Sequence, residues 1–211
     1  MSAVIMKIGI IGTGNVGKAL AKGFSKGGHE IKLGSRHPSK TDVPRSCVID
    51  EPRAVVKWSE LTALAVPHSS TKDAIMSIGP ETFAGKIVLD VTNALGPGME
   101  LAIGCTTSAA EEIAQMLPKA RVVKAFNTVF APNQSTGSIG GQQLTLFVAG
   151  DDLTAKQAVM KLGEEIGFES VDAGPLKAAR YLEPMGVEMI KLGLVQKMGT
   201  SIGYRLVRDR H

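Results

Sequence analysis

The sequence lacks the features that mark disulfide-rich, zinc-binding and membrane-spanning proteins. Its 211 residues contain two cysteines, Cys47 and Cys105, with no CxxC pair and no histidine cluster beside them. This pattern argues against a disulfide framework and against a zinc site, so we interpret both cysteines as packing residues. No apolar run reaches the roughly 18 residues that a membrane-spanning helix needs. We therefore predict no membrane span and no metal.

The beginning of the chain also lacks the basic region that precedes the apolar core of a signal peptide. Its apolar stretch, Met1 to Ile11, leads directly into a glycine motif. We therefore expect a cytoplasmic protein. The formal net charge of +4 suits an anionic small molecule but is too small to indicate a nucleic-acid partner.

The length bounds the architecture to one full-sized domain with a small addition. The composition, 44% hydrophobic and 21% charged, is ordinary for a globular protein. We expect residues 1–176 to form the main domain. Residues 177–211 are expected to form a short C-terminal helical segment that packs on the same domain or in a dimer interface.

Strand and helix patterns alternate along the chain. Val4 to Ile11 is a largely β-branched run, Gly14 to Lys26 has apolar residues at helical spacing, and Glu30 to Gly34 is a second short strand. Further strands are predicted at Cys47 to Ile49, Leu61 to Val66, Lys86 to Val91, Arg121 to Ala125, Leu144 to Ala149 and Phe168 to Asp172. This alternation predicts an α/β fold with a doubly wound, mostly parallel sheet.

Local signals place several helices and one loop. Helices are predicted from Ser69 to Ile78, from Ser108 to Met116, from Thr154 to Ile166 with Asp151 or Asp152 as its cap, and after Gly174-Pro175. Ser108 followed three residues later by Glu111 resembles a capping box. Pro184 is expected to kink or interrupt the last helix. Asn133 to Gln143, rich in Gly, Ser and Gln, is the best candidate for a mobile loop.

A complete GxGxxG motif follows the first strand and opens the first helix. It consists of Gly12, Thr13, Gly14, Asn15, Val16 and Gly17. Gly12 permits a tight turn, Gly14 lets a pyrophosphate approach the backbone, and Gly17 lets helix and strand pack closely. The helix N-terminus attracts phosphates. In this context the motif predicts a Rossmann fold that binds a dinucleotide; the alternative is a coincidental glycine turn.

The end of the second strand lacks the acidic residue that accepts hydrogen bonds from the adenosine ribose of NAD. Ser35, Arg36 and Lys40 stand there instead. A serine hydroxyl, a guanidinium and an ammonium can all bind a 2′-phosphate. We therefore predict NADP(H) rather than NAD; the alternative is that these are solvated turn residues.

Other candidate contacts follow the central strands, at the edge where open α/β sheets bind ligands. They are Val66, Pro67 and His68, then Asn93, then Asn127. We expect them to edge the nicotinamide pocket. For His68 the alternative is a satisfied surface histidine, and for Asn127 a simple turn.

These strand ends lack a Ser/His/Asp triad, paired carboxylates and metal-ligand spacing. A hydride that passes between two stacked rings needs proximity, orientation and exclusion of water rather than a protein nucleophile. We therefore predict an oxidoreductase with no catalytic side chain, in which His68 and Asn127 act at most as pocket contacts.

These motifs resemble those of a known family, the NADPH-dependent reductases of the deazaflavin coenzyme F420. The shared motifs are Gly12 to Gly17, Gly34 to Lys40, Val123 to Thr128, Ala149 to Asp152, Val171 to Leu176 with Arg180, and the chain from Gly199 onward. The NADPH-binding domains of membrane ferric reductases are similar, and share the pair Phe126-Asn127.

The resemblance implies a hydride exchange between NADP(H) and a deazaflavin, in a homodimer whose C-terminal part helps to close the pocket. It also implies that Thr13, Ser35, Arg36 and Lys40 hold the 2′-phosphate. Archaeal members of the family have a histidine where this chain has Asn127, and a tryptophan in place of His68. The NADP half of the resemblance therefore carries over better than the acceptor half.

Three functional hypotheses follow. The first is hydride transfer between NADP(H) and coenzyme F420 or a flavin. The second is a ferric or flavin reductase that uses NADPH, and the third is an NADP-binding redox sensor without chemistry. Rossmann dehydrogenases of β-hydroxyacids and pyrroline carboxylate complete their sites with a long helical domain, for which the chain after Leu176 has no room. The sequence leaves open the acceptor, the direction of flux and the oligomeric state.

Overall fold

The computed structural model describes residues 5–37, 47–104 and 106–209. The described part contains strands β1 Lys7–Ile11, β2 Glu30–Gly34, β3 Val48–Asp50, β4 Leu61–Leu64, β5 Ile87–Asp90, β6 Arg121–Lys124, β7 Ser138–Ile139, β8 Gln142–Gln143, β9 Thr145–Gly150 and β10 Glu169–Gly174. Its helices are α1 Asn15–Lys26, α2 Pro52–Trp58, α3 His68–Ile78, α4 Ala109–Met116, α5 Ala131–Gln134, α6 Leu153–Ile166 and α7 Ala179–Ile190. Short 3₁₀ turns occur at Pro80–Phe83, Pro97–Met99 and Leu176–Ala178, and a π-helical turn at Lys191–Val195 continues α7.

Eight of these strands form one sheet in the order β3-β2-β1-β4-β5-β6-β9-β10. Neighbouring strands are parallel except β6 and β9, which are antiparallel. The order reverses between β1 and β4, so the chain crosses the sheet there and leaves a crevice at the carboxyl ends of the strands. This arrangement confirms the predicted Rossmann-type, mostly parallel sheet.

Helices cover both faces of the sheet because the central strands are apolar on both sides. One face packs against α1 and α6, and Phe126 lies between Phe24 and Phe168 with ring centroids 5.9 and 5.7 Å away. The other face packs against α2, α3 and α4, with Val55, Ile75 and further apolar side chains buried. Both faces of the sheet are therefore covered by helices, and open α/β sheets of this kind bind ligands at the carboxyl edge.

The predicted boundaries of two strands need correction. The predicted strand Val4 to Ile11 shortens to Lys7–Ile11, because its partner β2 begins opposite Lys7 and Ile5 is exposed. Val4 lies outside the described residues. The predicted strand to Val66 ends at Leu64, where the chain turns toward the carboxyl edge. The other predicted strands are confirmed to within a few residues.

Pro184 does not interrupt the last helix, because α7 runs through it from Ala179 to Ile190. A proline removes one helical hydrogen bond. The buried face of α7, which includes Leu182, Glu183 and Val187, holds the helix against the rest of the domain and outweighs that loss. The division of the chain at residue 176 stays a prediction.

The predicted mobile loop Asn133 to Gln143 contains the end of α5 and the hairpin of β7 and β8. Its buried amides bind main-chain groups: Asn133 donates to Thr200 O at 2.7 Å, and Gln134 donates to Phe126 O and Val129 O. These bonds hold the first two residues of the segment to the fold, and the rest includes a short hairpin. The mobility of the segment stays a prediction. The half-buried Cys47 packs against the core, whereas Cys105 lies outside the described residues.

Candidate functional site

The glycine loop after β1 has the geometry that its spacing predicts. Gly12 has a φ of 118°, and a Cβ at this position would overlap the carbonyl of Ala65. A Cβ on Gly17 would overlap the carbonyl of Gly12. A Cβ on Gly14, by contrast, would meet nothing within 4 Å. Gly12 and Gly17 are therefore required by the fold, while Gly14 faces open space.

The N-terminus of α1 points at that open space. Gly14 is its N-cap, no described side chain caps it, and its first turn holds no acidic residue. The amides of Asn15, Val16 and Gly17 are the first of the helix and have no partner within it. A helix end with unpaired amides attracts an anion. The loop and the helix end therefore form a cradle for a phosphate group.

A cavity of about 650 Å³ opens beside this cradle. That volume lies within the range of small-molecule and cofactor sites. The cavity is lined by Ile11, Gly12, Thr13 and Gly14 of the glycine loop, by Gly34, Ser35, Arg36 and His37 after β2, by Pro52, by Ala65, Val66 and Pro67 after β4, and by Ser70, Asp73, Ala74, Ser77 and Ile78 of α3. The structure thus brings together four separate stretches of the chain, around residues 11–14, 34–37, 52 and 65–78.

The turn after β2 forms one wall of the cavity. The amide of Ser35 donates to Asp50 O at 3.1 Å, and its hydroxyl accepts a hydrogen bond from the amide of His37, also at 3.1 Å. The exposed Arg36 lies between them in the lining. The last residue of β2 is Gly34, so the wall presents a hydroxyl and a guanidinium where an NAD enzyme has a carboxylate. Lys40 lies outside the described residues.

The strand ends of β5 and β6 are arranged differently. Asn93 donates to the carbonyl of Asn127 at 2.8 Å, and Asn127 donates to Asn93 Oδ1 at 2.9 Å and to Leu182 O at 2.7 Å. A Cβ on Gly186 of α7 would overlap Asn93 Oδ1. The two asparagines therefore bind each other beneath α7, and among the described residues neither belongs to the cavity lining. Their predicted place at the nicotinamide stays a prediction.

His68 begins α3, next to Pro67 in the cavity lining. Its Nδ1 is buried and has no hydrogen-bond partner among the described residues. Thr92 Oγ1 and Asn127 Oδ1 are also buried without partners there. These three atoms follow β4, β5 and β6, so unsatisfied buried polar groups are concentrated at these strand ends.

Sequence reasoning missed a buried ion cluster beneath these strand ends. Lys124 Nζ lies 2.8 Å from Asp90 Oδ2, 3.0 Å from Glu183 Oε1 and 2.6 Å from the carbonyl of Thr92. All three charged side chains are at most 1% exposed. Burial alone lowers the pKa of Lys124, but the two carboxylates outweigh burial and raise that pKa. The signal was present in the sequence as charged residues at the ends of buried strands.

The absence of a catalytic carboxylate pair at the strand ends stays a prediction, because Glu183 comes from α7 and not from a strand end. Asp90 and Glu183 meet at Lys124 because α7 brings Glu183 back to the sheet. Glu183 also accepts hydrogen bonds from the amides of Ala109 and Ala110, at 3.0 and 3.2 Å. The pair holds α7 and α4 to the sheet and lies away from the cavity lining, so it does not form an acid–base pair at the candidate site.

The capping box of α4 is confirmed in a modified form. Ser108 Oγ accepts from the amide of Glu111 at 3.2 Å, and the Glu111 carboxylate accepts from the Ser108 hydroxyl at 2.8 Å. Arg180 holds the same carboxylate at 2.7 and 2.8 Å, and this hydrogen bonding lowers the pKa of Glu111. The start of α4 is therefore closed by protein side chains.

Within residues 5–37, 47–104 and 106–209, the helices are too short or too polar to cross a membrane. The same residues contain no group of three or more His, Cys, Asp or Glu side chains placed to bind a metal ion.

Comparison with known proteins identifies a matching family and several similar proteins. Residues 7–94 match the model of a family described as NADP oxidoreductase, coenzyme F420-dependent. The crystal structure of a candidate F420-dependent NADP reductase from Arthrobacter sp. FB24 has a TM-score of 0.88 and 30% identity, and the match covers 96% of this chain and 100% of that chain. The F420-dependent NADP reductase of Methanothermobacter thermautotrophicus is 27% identical, over 92% of each chain.

The rat metalloreductase STEAP3 is 29% identical over 96% of this chain, and the match covers 42% of that protein. The chain thus spans about two fifths of the length of this relative. The fold and the relatives lead to one conclusion: the chain belongs to the family of coenzyme F420-dependent NADP oxidoreductases and is an NADP-dependent oxidoreductase.

Proposed function

We propose that this protein transfers a hydride between NADP(H) and coenzyme F420 or a flavin. The observation that carries the proposal is the cavity beside the glycine loop, where the open space at Gly14 faces the wall formed by Ser35 and Arg36. These residues fit the adenosine half of NADP(H). Family membership supports the same cofactor.

The glycine loop would hold the pyrophosphate. The absence of a side chain at Gly14 leaves room for a phosphate against the backbone, and the first amides of α1, at Asn15, Val16 and Gly17, can donate to its oxygens. Gly12 and Thr13 complete the lining of this end. Binding here needs no rearrangement of the helix, because no described side chain occupies the helix end.

The turn after β2 would hold the 2′-phosphate. Arg36 can form two charge-assisted hydrogen bonds with a phosphate, and the Ser35 hydroxyl is fixed by the amide of His37. Lys40 remains a proposed third group from outside the described residues. We expect Arg36→Ala to weaken NADPH binding about tenfold to a hundredfold and NADH binding much less. Fluorescence titration with both nucleotides measures this difference.

Arg121→Ala is a matched control, because Arg121 lies at the amino end of β6, on the opposite edge of the sheet. It removes the same charge without touching the cavity lining. Equal losses of NADPH and NADH affinity in Arg36→Ala would contradict the 2′-phosphate role.

The strand ends would position the nicotinamide. Val66 and Pro67 continue from the cavity to His68. The buried, unpartnered Nδ1 of His68 follows β4 and the Oδ1 of Asn127 follows β6, with β5 between these two strands. The bonded pair of Asn93 and Asn127 would fix the floor beneath the ring. Bound NADPH supplies the hydride, and the acceptor takes that hydride together with one proton from solvent. The protein's own residues orient the rings and exclude water.

The direct test is to mix the protein with NADPH and oxidised coenzyme F420 under anaerobic conditions. We expect the visible absorption band of the oxidised deazaflavin to disappear at the rate at which NADPH is consumed. FMN and FAD form parallel arms. NADPH binding without consumption in any arm would reject the proposed activity and favour a sensor.

The second candidate is a ferric or flavin reductase, favoured by the match to STEAP3 along 96% of this chain. It predicts reduction of a ferric chelate that depends on both NADPH and added flavin. A chelate assay with and without flavin distinguishes it from deazaflavin reduction. The homodimer implied by the resemblance stays a prediction, which light scattering in solution can check.

A further inference from the structure

One part of the cavity lining is a face of α3. The residues that line it are spaced three and four apart along the helix, so they share one stripe. They are Ser70, Asp73, Ala74, Ser77 and Ile78. Four of the five are small or apolar, and Asp73 is the one charged member. The stripe therefore offers a flat surface that carries a single carboxylate.

Asp73 has no role in holding the fold. Its side chain is exposed, and its carboxylate makes no hydrogen bond or ion pair with any residue that the structure describes. A carboxylate in the lining of a site for anionic groups repels phosphates. An ionised carboxylate is also an acceptor only, so it needs a donor from the ligand. The position of Asp73 therefore restricts which part of a nucleotide can lie against α3.

The nicotinamide carboxamide is a donor too, but it belongs to the other end of NADP(H) from the adenosine half that this cavity fits. Within the adenosine half, the pyrophosphate and the 2′-phosphate are anions, for which the cavity offers the start of α1 and Arg36. The ribose hydroxyls lie next to these phosphates. The adenine base extends away from them, and its exocyclic 6-amino group is its one hydrogen-bond donor. The base, rather than the sugar, is thus the partner that suits α3.

We propose that Asp73 recognises the adenine base of NADP(H), with its carboxylate accepting a hydrogen bond from the 6-amino group. The base would lie along the small side chains of Ser70, Ala74 and Ser77, which leave room for a planar ring. Arg36, which lines the same cavity, would stack on its other face. This inference rests on the proposed binding of NADP(H) and adds to it a determinant of base specificity.

A base without that amino group provides the test. Deamino-NADPH carries hypoxanthine, whose 6-oxo group is an acceptor and would face the Asp73 carboxylate, another acceptor, while its one donor, N1–H, lies at a different position from the 6-amino group of adenine. Asp73→Asn replaces one carboxylate oxygen with an amide group that donates. The asparagine can therefore accept from adenine or donate to hypoxanthine by turning its amide.

The experiment titrates wild type, Asp73→Asn and Asp73→Ala with NADPH and with deamino-NADPH, and follows nucleotide fluorescence. We expect wild type to bind NADPH about tenfold more tightly than deamino-NADPH, the usual size for a hydrogen bond to a charged group. In both variants we expect the preference to fall to about twofold or less. The ratio of the two affinities within one variant does not depend on the fraction of folded protein.

Glu164→Gln is the matched control. Glu164 is exposed on α6, outside the cavity lining, so the variant removes one negative charge and should keep the wild-type ratio. An unchanged preference in Asp73→Asn, or equal binding of both nucleotides by wild type, would overturn the role of Asp73 while NADPH binding stands. A wild-type protein that binds neither nucleotide would overturn the proposed function as well.

Discussion

Helices α1 and α4 both begin at the carboxyl edge of the sheet, and each presents unpaired amides there. The start of α1 has no side-chain cap among the described residues and opens on the cavity. The start of α4 is occupied by Ser108 and by the carboxylate of Glu183, which accepts from Ala109 and Ala110. One helix end is therefore left for an external anion, while the protein supplies the anion for the other.

The two halves of the carboxyl edge of the sheet differ in the same way. The half of the edge at β1, β2 and β4 is open. Its characteristic residues belong to two short motifs, the glycine loop and the turn after β2. The half at β5 and β6 is covered by α7, which packs Gly186 on the pair of asparagines and brings Glu183 to Lys124. In the open half a change at Gly14 should act on ligand binding, although Gly12 and Gly17 are needed by the fold. In the covered half, changes should act on stability first.

The largest expected effect is in the covered half. Lys124→Met leaves Asp90 and Glu183 buried without their cation, and we expect a loss of about 3–5 kcal/mol in the free energy of unfolding. Denaturant titration measures the loss. Lys156→Met is the control, because its partner Asp172 is 45% exposed and stays hydrated. Similar losses in both variants would contradict the importance of the buried cluster.

In the open half, Gly14→Val should remove function and keep the fold. A valine there meets open space, so we expect the free energy of unfolding to fall by no more than about 1 kcal/mol. Its side chain would occupy the place of the pyrophosphate, and NADPH affinity should fall about a hundredfold. Calorimetric titration checks the affinity. Gly12→Val is the contrast: its Cβ overlaps Ala65 O, so it should fail to fold stably.

Gly186→Ala tests the contact between α7 and the strand ends. The added methyl group would overlap Asn93 Oδ1 and press on the Asn127 backbone, which should cost about 1–3 kcal/mol of stability. Thermal unfolding at several denaturant concentrations measures this loss. A variant as stable as wild type would show that α7 moves away from the asparagines without penalty.

The smallest expected effect concerns the closed start of α4. Ser108→Ala removes the hydroxyl that caps the amide of Glu111, and we expect a loss of about 1 kcal/mol. NADPH affinity should stay at the wild-type value, because this helix end is not in the cavity lining. A large change in NADPH affinity would mean that the two halves of the edge are coupled.

Sequence reasoning succeeded where the information is local. The spacing of Gly12, Gly14 and Gly17 indicated a turn, an open cradle and a tight packing contact, and all three are present. The alternation of strands and helices gave the sheet, because buried parallel strands are apolar on both faces. The choice of NADP rested on a missing acid after β2, and that wall indeed presents Ser35 and Arg36.

The same reasoning failed where contacts join distant parts of the chain. The carboxylate of Glu183 accepts a hydrogen bond from the amide of Ala109, which lies 74 residues earlier in the sequence, and no local pattern indicates that contact. Asp73 was also missed, because an acidic residue on an amphipathic helix is expected on the solvent-exposed face. Only the structure shows that it lines the cavity. Pro184 does not interrupt α7, because tertiary packing on the buried face of the helix outweighs the lost hydrogen bond; a kink at Pro184 stays a prediction.

The long-range contacts of Glu183 affect the order in which the two halves of the sheet edge can form during synthesis. Until α7 leaves the ribosome, Lys124 has one carboxylate instead of two, and the amides of Ala109 and Ala110 lack their acceptor. The glycine loop, by contrast, is complete once β4 has formed beside β1. A nascent chain can therefore assemble the cradle for the phosphates early, while the opposite half of the edge closes only with the final helix.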